Sequence, residues 1–568
     1  LASPTIDDGR LSASAKGCEF LIGRIAVEDM RRRGSCFGWL SFVALFIGGP
    51  VPSVEASMGD AMPRGALHGD AWLSLAALSG RPSARQNPVL DALRAADLEI
   101  ALQALRGGDY SKALEILSRL ATQGEAAAQF HLAEMYAKGQ GVAQDDQDAL
   151  RWYRQAAEQG DFRAEDALCL FYVQGTFRER ISGLLQDPNA AALWCRKAAE
   201  HGSAYGQEWL ATMYGLGSGV GQDYAEAARW WRRAAEQGSA VAQSNLAQMY
   251  FEGKGVDQDD AEALRWFRAA AQRGFSGAQY GLGLMYDAGR GVPRDPEEAA
   301  RWYRKAAEQG DAEAQFNLGV MYVTGEGLPQ DAAEAARWFR KAADQGDPAA
   351  QNNLGGMYLD GEGVPVDTAA AARWFRKAAE QGFADAQYNL GLMYERGESL
   401  PQDYAEAARW YRSAAEQGSA MAQYNLGAMY ADGKGVTRDP AEAFRWYRKA
   451  AGQGFAIAEN ALGVAYANGV GVKASKAKAV RWFRRAAEQG NVDAQYNLGL
   501  AYANGDGVRR DYIQAYLWWN LAAAQGSAEA RQGQNAIARH MTRQQIAESQ
   551  RRAHAFQSHP EPAAVEEE

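Results

Sequence analysis

"FRKAADQGDPAAQNNLGGMYLDGEGVP", residues Phe339–Pro365, has a near copy thirty-six residues earlier, "YRKAAEQGDAEAQFNLGVMYVTGEGLP", and another thirty-six later, "FRKAAEQGFADAQYNLGLMYERGESLP". A phrase kept at fixed spacing marks a stack of like units, and it overrides the length-based expectation of about three or four domains. Tryptophan sets the register. It stands at Trp152 and Trp194, then at every thirty-sixth residue to Trp518. The first interval, of 42, carries a six-residue insertion around "GTFRERISGLLQDP" (Gly175–Pro188). Ile116 lies thirty-six residues before Trp152, so a unit without Trp precedes the first, giving twelve units between Asp91 and Gly526.

Each unit parses into two helices. In the one built around Trp338, Asp331 is placed to cap a helix amino terminus, with Glu334 expected to complete a capping box. Ten of the eleven Trp units have Asp there, and the other has Ser475. Ala335, Trp338, Phe339 and Ala342 follow at i, i+3, i+4 and i+7, an apolar stripe, and Gly346 stops the helix. The preceding helix runs from the cap Asp311 to the stop Gly325 and buries Ala314, Leu318, Met321 and Tyr322. Gly319 lies on it, where only a small side chain lets two helices approach closely. The short turn "GEGLPQD" makes the two helices antiparallel. A lone pair cannot bury both stripes, whereas stacked pairs can, so the fold is an all-α solenoid.

Composition agrees. Hydrophobic residues make up 47%, and a formal charge of −10 with interleaved signs argues against a nucleic-acid surface. The chain opens on Leu1, and from Met30 it reads "MRRRGSCFGWLSFVALFIGGPVPSVEAS": Arg31–Arg33, an apolar run, then Val54-Glu55-Ala56. That is the layout of a signal peptide over residues 30–56, too short an apolar run for a membrane span. Residues 1–29 are then expected to be upstream read-through, and 57–90 a linker. Cleavage would leave Cys169 and Cys195, which either bridge in an oxidising compartment or stay as two small buried thiols.

After Gly526, "SAEARQGQNAIARHM" and "TRQQIAESQRRAHAF" read as polar capping helices over 527–556, and "QSHPEPAAVEEE" (557–568) as an acidic disordered tail. "AQ-x-NLG-x-MY-xx-G-x-GV" followed by "D-xx-EAARW[YF]RKAAEQG" resembles the Sel1-like repeat, a paired-helix unit related in shape to tetratricopeptide repeats. The resemblance covers Asp91 to Gly526. It implies a right-handed superhelical solenoid that binds protein or peptide partners, and in bacteria an exported adaptor, periplasmic or secreted, that serves the cell envelope. A polysaccharide-secretion scaffold is one alternative within it. Two departures stand out. Cys195 replaces the usual aromatic, and Ser399 replaces the second loop Gly, so that turn is expected to differ.

No residue set for catalysis, cofactor or metal emerges. The six His are scattered, and "GLGSGVG" (Gly215–Gly221) falls in an ordinary inter-helix turn. Ser475-Lys476-Ala477-Lys478 matches the Ser-x-x-Lys of penicillin-binding enzymes, which keeps a β-lactam or peptidoglycan hydrolase as the enzymatic alternative. Its companion motifs are absent, and Ser475 sits at an N-cap position. Arg337 and Arg340 are expected to pair with Glu334 and Asp344 on their own helix. For binding, the first helix leaves a second stripe of Phe316, Val320 and Val323. Tyr280, Phe316, Tyr388, Tyr424 and Tyr496 recur at one position, either as a ladder lining a groove or as rings packed between units. Asn317, Asn353, Asn389 and Asn425 are expected to tie neighbouring helices by hydrogen bonds.

Overall fold

The computed structural model describes residues 88–177 and 187–558, and every element among them is helical. The expected signal peptide, the stretch before it, most of the linker, the core of the insertion and the tail from residue 559 lie outside those residues.

The chain divides after Gln309 into two compact units. In the first, a leading and a trailing helix pair six times: Pro88–Arg106 with Tyr110–Thr122, Ala126–Lys138 with Asp146–Glu158, Phe162–Phe177 with Pro188–Glu200, Ala204–Leu216 with Tyr224–Glu236, Ala240–Glu252 with Asp260–Gln272, and Ser276–Ala288 with Pro296–Glu308. The second pairs Ala312–Thr324 with Ala332–Asp344, Pro348–Asp360 with Thr368–Glu380, Ala384–Arg396 with Tyr404–Glu416, Ala420–Asp432 with Pro440–Gly452, Ala456–Asn468 with Lys476–Glu488, and Val492–Asn504 with Tyr512–Ala524. Helices Ala528–Ala538 and Arg543–Ser558 close it. The first helix starts at Pro88, inside the stretch expected as linker, because proline suits a first helical turn.

Local chemistry fixes each pair. Asp331 Oδ1 accepts from the N–H groups of Ala333 and Glu334 at 2.9 and 3.0 Å. The expected capping box does not form. The Asp331 N–H donates instead to the Tyr322 carbonyl at 3.0 Å, which closes the hairpin, and Glu334 pairs with Arg337. Gly325 ends the leading helix in the left-handed region, φ 73°. The second loop glycine is needed for space as well as for its positive φ: a β-carbon at Gly363 (φ 68°) would run into the Ala332 carbonyl of the preceding pair. Ser399 keeps this left-handed turn, at φ 56°, so the turn does not differ as the sequence suggested. Its hydroxyl meets that of Thr368. Holding a serine there costs about 1–2 kcal/mol, so Ser399→Gly is expected to raise stability by about 0.5–1 kcal/mol in urea titration.

Two apolar seams build the stack. Within a pair, the ring after each Trp lies on the small residue of the leading helix. An added β-carbon would sit 2.7 Å from the Phe339 ring at Gly319 and 2.8 Å from the Tyr411 ring at Gly391. Between pairs, the Trp itself packs back onto the pair before it. Trp446 joins the cluster of Ala407, Tyr411 and Leu426, and Trp410 and Trp482 pack likewise on the preceding clusters. A cation at i+3 covers the outer face of several indoles, as Lys341 does 3.8 Å from the Trp338 ring centroid.

Polar relays run beside the seams. Buried Gln351 donates to the Ala343 carbonyl of the preceding pair at 3.1 Å and accepts from Gln381 of its own pair at 2.8 Å. Gln387 with Gln417, and Gln423 with Gln453, repeat this. In the capping helix Arg531 takes the donor's place on the Ala523 carbonyl, 3.4 Å away. In most Trp units the Arg after the ring reaches the next pair: Arg340 and Arg412 donate to the hydroxyls of Tyr358 and Tyr430. Arg340 thus bonds across pairs rather than to Asp344, the partner expected on its own helix. The relay is not uniform: buried Glu459 replaces Gln and accepts from Gln489 at 2.7 Å with no amide hydrogen to pass on. Arg273 stands for Gln and donates to the Gly238 carbonyl, leaving the buried Gln243 Oε1 without a hydrogen bond. Arg273→Gln is expected to stabilise the first unit by about 1 kcal/mol in the same titration.

Candidate functional site

The repeated ring position falls at the edge of the core. Tyr388 lies tilted on buried Tyr411 with centroids 5.8 Å apart, and Phe316 lies on buried Phe339 at 5.7 Å. Tyr424 contacts both Tyr447, at 5.6 Å, and Phe455 of the next pair, at 6.0 Å. Tyr496 stacks on Trp519 at 6.3 Å, and Tyr280 on Tyr303 at 5.8 Å. Phe316 is buried, while the four tyrosines are half-buried. Each ring therefore has one face in the intra-pair seam, and the tyrosines remain partly open to solvent. The asparagines beside them act as ties: Asn389 donates to Asn352 of the adjacent leading helix at 2.9 Å, and Asn497 to Asn460 at 3.1 Å.

Sequence reasoning missed what fills the ring position in the first unit, because only the aromatics stood out. There Asp166, Glu208 and Ser244 take the place of Tyr280. Asp166 is pushed up to about 6, mainly by burial, with a hydrogen bond from Ser203 opposing. Burial likewise raises Glu208 to about 7 against the Ser239 hydroxyl. Since the folded state holds Glu208 protonated more tightly than the unfolded chain does, its stabilisation is complete below about pH 4.5 and fades as pH climbs through 7. Glu208→Gln is expected to flatten the fall in melting temperature of the first unit between pH 5 and 8, removing on the order of 1–3 kcal/mol of pH dependence.

Cys169 and Cys195 form a disulfide, both buried, with a sequence separation of 26. Cys169 holds the small-residue position and Cys195 the ring position, so a covalent bond occupies the seam that elsewhere is ring on glycine or alanine. Beside it His201 Nδ1 meets buried Glu165 at 2.5 Å, the two replacing a Gln–Gln rung.

The Ser-x-x-Lys match is pulled apart. Ser475 Oγ accepts from the Lys478 N–H at 3.4 Å as an N-cap, the Lys478 ammonium lies over the Tyr466 ring, 5.5 Å from its centroid, and Lys476 pairs with Asp506 at 2.5 Å. No helix among the described residues is long and apolar enough to cross a membrane.

A family model described as the Sel1 repeat matches eleven consecutive segments, from 126–161 to 492–527. A solved structure of c5321, a protective antigen present in uropathogenic Escherichia coli strains and displaying an SLR fold, is 37% identical. The match covers 80% of this chain and 99% of that one, with a TM-score of 0.67. A Sel1 repeat protein from Oxalobacter formigenes is also 37% identical, over 54% of this chain and 89% of that one, with a TM-score of 0.44. No curated protein matches.

Proposed function

Because the chain belongs to the Sel1-repeat family, we propose that it is a non-catalytic scaffold, exported to the periplasm or beyond, that holds a protein partner on its leading helices. The observation that carries the binding face is the exposure of large apolar side chains on those helices. Val323, Val464 and Leu500 are each more than a third exposed, although the same helices bury Leu318, Leu462 and Leu498 completely. Trailing helices, apart from Leu193 in the first unit, show solvent their Arg and Glu, paired at i, i+3, as in Arg409 with Glu406 at 3.1 Å and Arg445 with Glu442 at 2.9 Å. Export is supported by the residue order from Met30 to Ala56 and by the disulfide, a bond that persists in oxidising compartments.

Site-specific photo-crosslinking in cells tests the face. A crosslinker at Val464 should trap a partner and one at Arg445 should not; equal trapping, or none, refutes the face. Fractionation with thiol labelling tests the compartment. A mature chain beginning near Ser57 with both cysteines blocked is expected outside the cytosol, and a cytosolic chain with two free thiols contradicts export. Nitrocefin turnover lost in Ser475→Ala would overturn the non-catalytic reading.

A further inference from the structure

The scaffold reading leaves the partner's chemistry open, and the second unit constrains it. The six leading helices there are thirteen residues long, and their second, fifth, sixth, ninth, twelfth and thirteenth positions are exposed or half-buried, apart from buried Phe316, Val320, Ala349 and Asn352. Middle positions form a floor of rings, Asn side chains and aliphatics, with Val464 39% and Leu500 38% exposed. The Asn389–Asn352 and Asn497–Asn460 bonds join neighbouring helices along this floor.

Both ends of the helices are acidic. Glu313, Asp385 and Asp493 stand at second positions, near the amino termini. Asp360, Glu395 and Asp432 stand at twelfth or thirteenth positions, near the carboxyl termini. Arg396 is the one cation among these exposed positions of the second unit, and it lies 3.7 Å from Glu398. Lysine is absent from them, while trailing helices carry runs such as Arg337, Arg340 and Lys341. Cations are thus nearly absent from the leading helices themselves, although Lys434 in the following turn lies 3.6 Å from Asp432. The field of the acidic rows reaches the floor: burial first, then Asp493, Asp432 and Glu395, from three different leading helices, raise the Tyr424 hydroxyl above its ordinary range.

Ten or eleven residues separate the rows, about 15–17 Å along a helix, which suits the roughly 10–12 Å diameter of an α-helix with its side chains. An apolar floor between two acidic rims is complementary to one kind of segment. We propose that this face of the second unit binds a cationic amphipathic helix of a partner protein, its apolar stripe on the floor and its Lys and Arg flanks on the two rims. The rims steer the approach and select against acidic segments, and the floor supplies the desolvated contact.

Fluorescence anisotropy with the full chain tests this, using labelled helical peptides of about 18 residues, ~27 Å long. One has Lys flanking a Leu stripe, one Gln, one Glu. The Leu/Lys peptide is expected to bind at least about tenfold more tightly than Leu/Gln at ~50 mM salt, with the advantage shrinking at ~500 mM, and Leu/Glu should not bind. The variant Glu395→Gln/Asp432→Asn/Asp493→Asn should lose most of that advantage. The charge-matched variant Glu334→Gln/Glu406→Gln/Glu442→Gln, on trailing helices, should keep it. Melting curves that coincide with the parent's show that both variants are folded.

Equal losses in the two variants would make the attraction one of net charge and overturn the proposal. Leu/Gln binding as tightly as Leu/Lys would overturn it while leaving the scaffold reading intact. So would a Leu/Lys peptide barred from helix by proline that binds equally well, since the occupant would then be extended. If no peptide binds, the proposal fails. The scaffold reading falls with it only if the Val464 crosslinker also traps nothing.

Discussion

Truncating Phe339 to alanine is expected to cost about 3–5 kcal/mol, since the ring is almost wholly buried and nothing on either helix can collapse into its place. Gly319 offers a flat patch of backbone to the ring, and Phe316 closes the other side at a centroid distance of 5.7 Å. The converse change, Gly319→Leu, should also destabilise, by about 1–3 kcal/mol or more, because the branched side chain would need the volume the ring fills. Urea unfolding followed by circular dichroism measures both. A loss below about 1.5 kcal/mol for Phe339→Ala would mean that the seam is not what holds a pair together. In a stack where each pair touches only its neighbours the damage should stay local, broadening the transition before lowering its end.

Removing the disulfide by Cys169→Ala with Cys195→Ala is expected to cost the first unit about 3–4 kcal/mol, the loop-closure value for a crosslink across 26 residues. A reductant should reproduce the loss in the parent and leave the double variant unchanged. The seam suggests a rescue: Cys169→Gly with Cys195→Phe installs the ring-on-glycine contact of the other pairs. It should recover a substantial part of what the alanine pair loses. A melting temperature indifferent to reductant would show that the bond adds nothing to the packing around it.

The solenoid was legible because its causes are local and repeated. Asp331 and Gly325 act at the positions their spacing indicated, and Trp446 lies in the inter-pair seam that a fixed register demands. What escaped depends on a second helix. Glu334 has the spacing of a capping box, yet the N–H it would take is already bonded to Tyr322, which only the folded hairpin brings near. Ser399 reads as a broken turn, but the preceding and following pairs hold it in the conformation a glycine would choose. The rings were seen and their location was left open between groove and core; geometry packs Tyr388 and Tyr424 on core rings and leaves them half-buried. The acidic rims went unnoticed because no carboxylate repeats in every unit. They arise from different repeats: Glu313, Asp385 and Asp493 at one helix end, Asp360, Glu395 and Asp432 at the other.

The side-chain amide relay has a direction, and that bears on how such a chain can lengthen. Rungs such as Gln351, Gln387 and Gln423 give a hydrogen toward the amino-terminal side and offer an oxygen to what comes later. A duplicated segment spliced between existing repeats inherits a donor and an acceptor at both joints. One appended past residue 531 meets a guanidinium, which has hydrogens to give and no lone pair to receive. Growth by internal duplication keeps the relay whole, whereas growth at that end would forgo one of its hydrogen bonds at Arg531.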